Sequence, residues 1–382
     1  MDKRLDVHLK KRASDLKNAK ENGVKIVGYF PGSYVPEEMI YASGAIPVCL
    51  ADGGDSTPVE ASLSVIPRHF CSFIRAQIGE IKLNSNPYYD LIDLLIAPIA
   101  CQHLKKVAEI IEYSCDIKIL KLGIPNAYDS DPALEYYSYQ LSKLRDRLQV
   151  LTGNVISDEK IISAIELYNS MRRLLREISL LRINFPVPLS AIDFIKFNHA
   201  SLYADPAYMV EVLQNIYGDL KEKQLPAKAN KPRLLLIGPN VAYGDYKVLE
   251  LVEAAGGEIV IEEVSEGIRN YWQTISTLGD PVESLARGYL RERIPCAFMI
   301  HSAKARLDFA LKLIRDFNVS GVIWYELLGC ETYDSESYFV ARKLEEKKIP
   351  LLILESDYGT SDIGQLKNRI DAFMEIVKGG IK

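Results

Sequence analysis

The chain has 382 residues, too many for one ordinary core and enough for two or three domains of roughly 100–200 residues each. Its 48% hydrophobic and 25% charged residues are ordinary for a globular protein, and a net charge of −5 excludes nucleic acid as the main partner, because phosphate binding wants a basic face. The first residues hold no apolar signal core and no run approaches the roughly 20 apolar residues of a membrane span, so the expectation is a cytoplasmic protein without membrane contact, its thiols reduced.

Residues 1–22, with Leu5, Leu9 and Ala13 among many Lys and Arg, read as an amphipathic surface helix. A strand follows over 24–30, and Pro31-Gly32-Ser33 breaks it. Pro36-Glu37-Glu38 opens a helix: Pro suits the first turn, and two acids complement its positive end. A short strand over 45–50 holds Cys49, and Gly53-Gly54 makes a turn with no phosphate-loop pattern around it. Cys71 stands at the start of a helix running to 78. The stretch 90–100 is an apolar run without alternation, which reads as a strand buried on both faces. It releases Cys101 and His103 just beyond its end, the edge where open parallel sheets bind ligands. A helix over 104–112, Cys115 and a strand over 117–122 complete a first α/β domain spanning 23–150.

Residues 151–230 read as a helical bridging segment. Apolar positions recur at helical spacing between 132 and 183, a further helix runs over 206–217, and the polar run 221–231 reads as a linker. A second α/β domain, 231–382, repeats the alternation. Strands are expected at 233–240, 258–263, 319–328 and 350–355, with helices at 246–255, 303–317, 336–347 and 363–377. The fold class is therefore α/β: two Rossmann-like domains with parallel sheets flanked by helices, joined by a helical segment.

The six cysteines are Cys49, Cys71, Cys101, Cys115, Cys296 and Cys330. None forms a CxxC pair, and free cysteine is commonly a buried structural residue. Yet Cys49, Cys101 and Cys330 fall at or just past strand ends and Cys71 at a helix start, positions that can converge in a crevice between α/β units. Cys115 and Cys296 stand near the beginnings of apolar stretches, and pattern alone does not bring them to that edge. Three of the five histidines, His69, His103 and His301, lie close in sequence to cysteines. Thiolates are the donors that sulfide-bridged iron prefers, and neutral histidines beside a cluster can relay protons.

Five segments, 28–44, 71–79, 95–101, 263–269 and 329–333 (Gly329-Cys330-Glu331-Thr332-Tyr333), resemble in this order the 2-hydroxyacyl-CoA dehydratase and benzoyl-CoA reductase subunit family. The resemblance implies two Rossmann-like domains and a low-potential iron–sulfur cluster on three cysteines, which match Cys71, Cys101 and Cys330. It also implies electrons from a separate ATP-hydrolysing activator with its own [4Fe-4S] cluster. Cys49, Cys115 and Cys296 exceed that pattern. Six thiolates would serve two cubanes sharing a sulfide, so the chain most resembles the double-cubane subgroup, which carries an [8Fe-9S] cluster on a homodimer and implies reduction of a small unsaturated or N–N-bonded substrate. His69, His103, His301, Tyr325 and Glu326 are then candidate proton donors. The alternatives are a dehydratase subunit with a single [4Fe-4S] cluster and a metal-free binding protein with buried thiols.

Overall fold

The computed structural model describes residues 3–223 and 231–379. It contains two four-stranded sheets, every strand pair parallel. The first is built from β1 (Ile26–Tyr29), β2 (Ile46–Cys49), β3 (Leu94–Ile99) and β4 (Ile119–Gly123), in the spatial order β2-β1-β3-β4. The second uses β5 (Arg233–Ile237), β6 (Glu258–Glu263), β7 (Gly321–Leu327) and β8 (Leu351–Ser356), in the equivalent order β6-β5-β7-β8. The central strands are buried along nearly their whole length, which their uninterrupted apolar runs demand of a sheet covered on both faces.

The expected elements are present with differences. The helix expected at 336–347 begins at Glu331, directly after Cys330, and helices Ser56–Ala61 and Pro281–Arg287 were not expected. Three more differences matter for the fold. The strand expected from residue 90 begins at Leu94, because Pro87 starts a short helix, Tyr88–Leu91. Ala191–Tyr203 is a helix that the sequence reading did not assign; ten of its thirteen residues are buried, so it shows no polar face to mark a 3.6-residue period. Helix Pro206–Glu222 runs past its expected end, and most of the expected linker lies outside the described residues. Long helices Asp131–Thr152 and Asp158–Leu180 supply the bridge, each opened by a serine cap, Ser130 and Ser157.

The two units are tied by exchanged connections. Between β2 and β3 the chain reaches across to the second unit, where Ser72 N donates to Leu328 O at 3.0 Å. Between β6 and β7 it reaches back, Cys296 N donating to Tyr34 Oη at 3.1 Å and Ile300 N to Asn126 O at 2.8 Å. One apolar cluster runs through both, joining Phe30, Phe73 and Leu95 to Leu234, Ile323 and Tyr325. At the seam Gly54 lies directly on Gly244: a Cβ added at Gly54 would stand 2.4 Å from the Gly244 carbonyl carbon. Both glycines have positive φ, +80° and +104°. The expected plain turn at Gly53-Gly54 is thus part of the inter-unit contact.

Candidate functional site

Cys71, Cys101 and Cys330 occupy the same local position. Each immediately precedes a helix: Ser72–Leu83, Gln102–Ser114 and Glu331–Glu346. Cys101 Sγ accepts from the first-turn amide Leu104 N at 3.5 Å, and the first-turn amides of the other two helices lie near Cys71 and Cys330 without a capping bond to sulfur. Free amides and the helix dipole stabilise a thiolate there. Burial opposes them. It pushes Cys71 and Cys101 up and Cys330 up to about 11, and neighbouring thiols add to the rise. Without a cation the set is held as thiols; a bound metal would deprotonate them.

The three sulfurs border a cavity of about 480 Å³ shared by both units. His103, Asn126, Phe298, Glu331 and Thr332 also line it. Behind the thiols lies a second space of about 100 Å³, bordered by the same three cysteines together with Cys296, Tyr34 and Glu266. Cys296 therefore reaches the site, although its stretch forms no strand. Cys49 ends β2, fully buried, and borders a third space of about 20 Å³ that shares Glu266 with the second. Cys115 caps the C-terminus of helix Gln102–Ser114 and borders none of the three.

Of the five candidate proton donors, His103 lines the outer cavity. Its Nδ1 accepts from Cys71 N at 3.3 Å and its ring stacks on Phe70 at 4.7 Å. Burial lowers its pKa, and acceptance at Nδ1 places the proton of the neutral ring on Nε2. His69 is exposed on the other side of Phe70, and His301 is exposed at positive φ at the start of helix Ser302–Asp316. Tyr325 is buried in β7 with its Oη donating to Asp245 Oδ2 at 2.8 Å, and Glu326 is buried beside it; neither borders the three spaces.

The sequence reading missed Glu266. Its carboxyl is 3% exposed, Oε2 has no hydrogen-bond partner, and burial pushes its pKa up to about 8. Glu266 lies in the 263–269 segment, whose polar sequence gives no sign of that burial. It also missed Thr332, whose Oγ1 lies 3.7 Å from Cys330 Sγ. Gly329 completes the geometry. At φ +82° it turns the chain into Cys330, and a Cβ there would meet His69 O at 2.9 Å and Cys71 Cα at 3.0 Å.

The chain is similar to known proteins along nearly its whole length. A family model described as 2-hydroxyglutaryl-CoA dehydratase, D-component, matches residues 32–377. The chain belongs to that family. YjiM of Escherichia coli (strain K12) is 28% identical over 362 residues, 94% of this chain and 93% of the relative. A benzoyl-CoA reductase subunit of Thauera aromatica is 23% identical over 356 residues, 93% and 91% of the two chains. The (R)-phenyllactyl-CoA dehydratase beta subunit of Clostridium sporogenes is 21% identical over 361 residues, 94% of each. The family thus includes components of both dehydratases and reductases. Among the described residues no helix is long and apolar enough to cross a membrane.

Proposed function

We propose that the chain is the iron–sulfur subunit of an ATP-driven dehydratase or reductase, with a cluster held by Cys71, Cys101 and Cys330. The observation that carries this reading is the convergence of three helix-capping thiols, from both units, on one cavity. Among the described residues no three His, Cys, Asp or Glu side chains gather closely enough for a single metal ion. A cubane distributes its ligands over several irons, so thiols spread around a cavity suit it where they would not suit zinc. When bound, the cluster would supply low-potential electrons delivered one at a time by a separate ATP-hydrolysing activator.

The chain's own residues would do the rest. The 480 Å³ cavity is within the size range of small-molecule sites and offers both apolar and polar walls. Phe298 and Ala100 present apolar surface that excludes water; Asn126, Thr332 and Glu331 offer hydrogen bonds to a polar substrate. Neutral His103 holds a proton on Nε2 at the cavity wall. Relatives named as CoA-ester dehydratase and reductase subunits support an acyl thioester as substrate and a second, different subunit as partner.

A second reading, an [8Fe-9S] double cubane on all six cysteines of a homodimer, acting on a small unsaturated or N–N-bonded substrate, is favoured by Cys296 and Cys49 bordering the inner spaces. It requires Cys115 to join them. Anaerobic reconstitution followed by iron and sulfide analysis separates the readings. About four irons per chain, unchanged by Cys115→Ser, supports the single cubane; about eight, reduced by that substitution, supports the double; a colourless, iron-free chain rejects both.

A further inference from the structure

A separate cavity of about 150 Å³ opens on the seam between the units and is lined by none of the cysteines, although Cys49 lies close behind Asp52. Helix Lys3–Glu21 brings Asp6 and Lys10 to it. Asp52 arrives just after β2, Tyr88 from helix Tyr88–Leu91, Tyr203 from the end of helix Ala191–Tyr203, and Tyr243 from the loop after β5. Asp52 and Tyr243 also pair as an isolated parallel bridge.

The tyrosine rings form a continuous run. Tyr88 and Tyr203 are 5.4 Å apart between centroids, and Tyr203 and Tyr243 5.5 Å. Asp52 is fixed from behind. Its Oδ2 accepts from Tyr203 Oη at 2.7 Å and from Asn86 Nδ2 at 3.1 Å, and its carbonyl accepts from Gln77 Nε2 at 2.8 Å. Both side-chain bonds fall on Oδ2, leaving Oδ1 outside them. Among the described residues no cationic side chain offsets the burial of this carboxyl, whose pKa is raised by desolvation; the neighbouring Glu80 carboxyl is buried as well. Lys10 stands at the mouth, largely exposed and paired with Asp6 at 2.8 Å.

A desolvated carboxylate without a counter-ion is costly, and tyrosine faces carry the negative part of the ring quadrupole. A ligand of diffuse positive charge answers both. The volume equals that of roughly five waters, room for a tetramethylammonium-sized group. We propose that this cavity binds a small organic ammonium ion, walled by Tyr88, Tyr203 and Tyr243 with its charge against Asp52. Because the walls come from both units and the N-terminal helix, the bound ion fastens them together and stabilises the folded chain by linkage.

The test is titration calorimetry and thermal unfolding of the full chain with tetramethylammonium chloride, with sodium chloride at equal ionic strength and with neutral tert-butanol as controls. The expected result is saturable one-to-one binding and a raised Tm with tetramethylammonium alone. Asp52→Asn keeps the shape and should weaken binding by at least about ten-fold, and Tyr243→Leu by about three-fold or more; should Asp52→Asn fold poorly, Tyr243→Leu decides. Equal stabilisation by sodium, no saturable heat with the natural chain, or unchanged affinity in Tyr243→Leu overturns the assignment. So does a Lys10→Ala chain that loses Tm and recovers it with methylammonium, which would make Lys10 the resident cation.

Discussion

Cys101 and Cys330 are topological counterparts. Each follows the third strand of its unit and caps the next helix. Their footings differ. The helix behind Cys101 is seated on apolar side chains, Leu104, Val107, Ala108 and Ile111. The helix behind Cys330 adds buried charge to its apolar Val340 and Leu344. Arg269 Nε donates to Glu263 Oε1 at 2.8 Å, Arg306 Nη2 to Glu263 Oε2 at 3.2 Å and Arg306 Nε to Glu336 Oε1 at 3.1 Å, with both arginines on the Tyr333 hydroxyl. Apolar seating tolerates small slides, whereas a charge network holds one arrangement or none. The second unit therefore fixes where Cys330 sits, and the first packs up to it. Cys71 and Cys296 offer a parallel contrast. Both lie in the exchanged connections, but Cys71 has helix amides to stabilise a thiolate, while Cys296 lies outside any helix and spends its own amide on Tyr34.

The largest expected effect tests this second contrast. Cys71→Ser, Cys101→Ser and Cys330→Ser should each lose most of the iron bound on anaerobic reconstitution, while Cys296→Ser keeps it; metal analysis and electron paramagnetic resonance read both. Equal loss in all four would erase the distinction drawn from helix amides.

Next comes the charged footing. Glu263→Gln leaves two buried arginines short of a counter-charge and should cost about 3–5 kcal/mol in denaturant unfolding. A loss under about 1 kcal/mol would show that charge does not fix the second unit.

Gly329→Ala should cost about 1–3 kcal/mol, from the left-handed backbone and the contact with the Cys71 loop, and should lower iron uptake together with Tm. Uptake unchanged at lowered Tm would mean that the loop yields without moving its sulfur.

The last effect is a slope, small at any one pH. Glu266 has its folded pKa raised to about 8 from 4.5, so its protonated form favours folding fully below about pH 4.5, and that contribution is lost as pH rises through about 8. Glu266→Gln should remove a decline of at most about 1.4 kcal/mol per pH unit in that window. An identical stability–pH curve in the variant would place the titration elsewhere.

Much of this was legible in the sequence, for stateable reasons. Parallel strands covered on both faces must be apolar throughout, so β3 and β7 announced themselves, and the residues just past them, Cys101 and Cys330, were already at the ligand edge. Cys71 was legible as the residue ahead of a helical run, although burial of residues 72–80 leaves that helix no polar face. Helix Ala191–Tyr203 was hidden because burial on nearly all sides erases periodicity. The arrival of Cys296 was hidden because a loop carried across to the other unit leaves no local pattern. Tyr325 and Glu326 looked promising beside a strand end but remain inside the strand, where side chains face the layers and not the crevice. Glu266 needed the third dimension: an acid in a polar segment shows no sign that it will be sealed in.

The contact of Gly54 with Gly244 sets how the halves can part. Main chain there rests on main chain, with no side chain between them to rotate and absorb a small displacement. Gradual gaping is thus poorly accommodated at this point, and separation should proceed as a single cooperative rupture. For the proposed cluster, held by cysteines of both halves, such a seam would favour a vault that is either shut or fully breached.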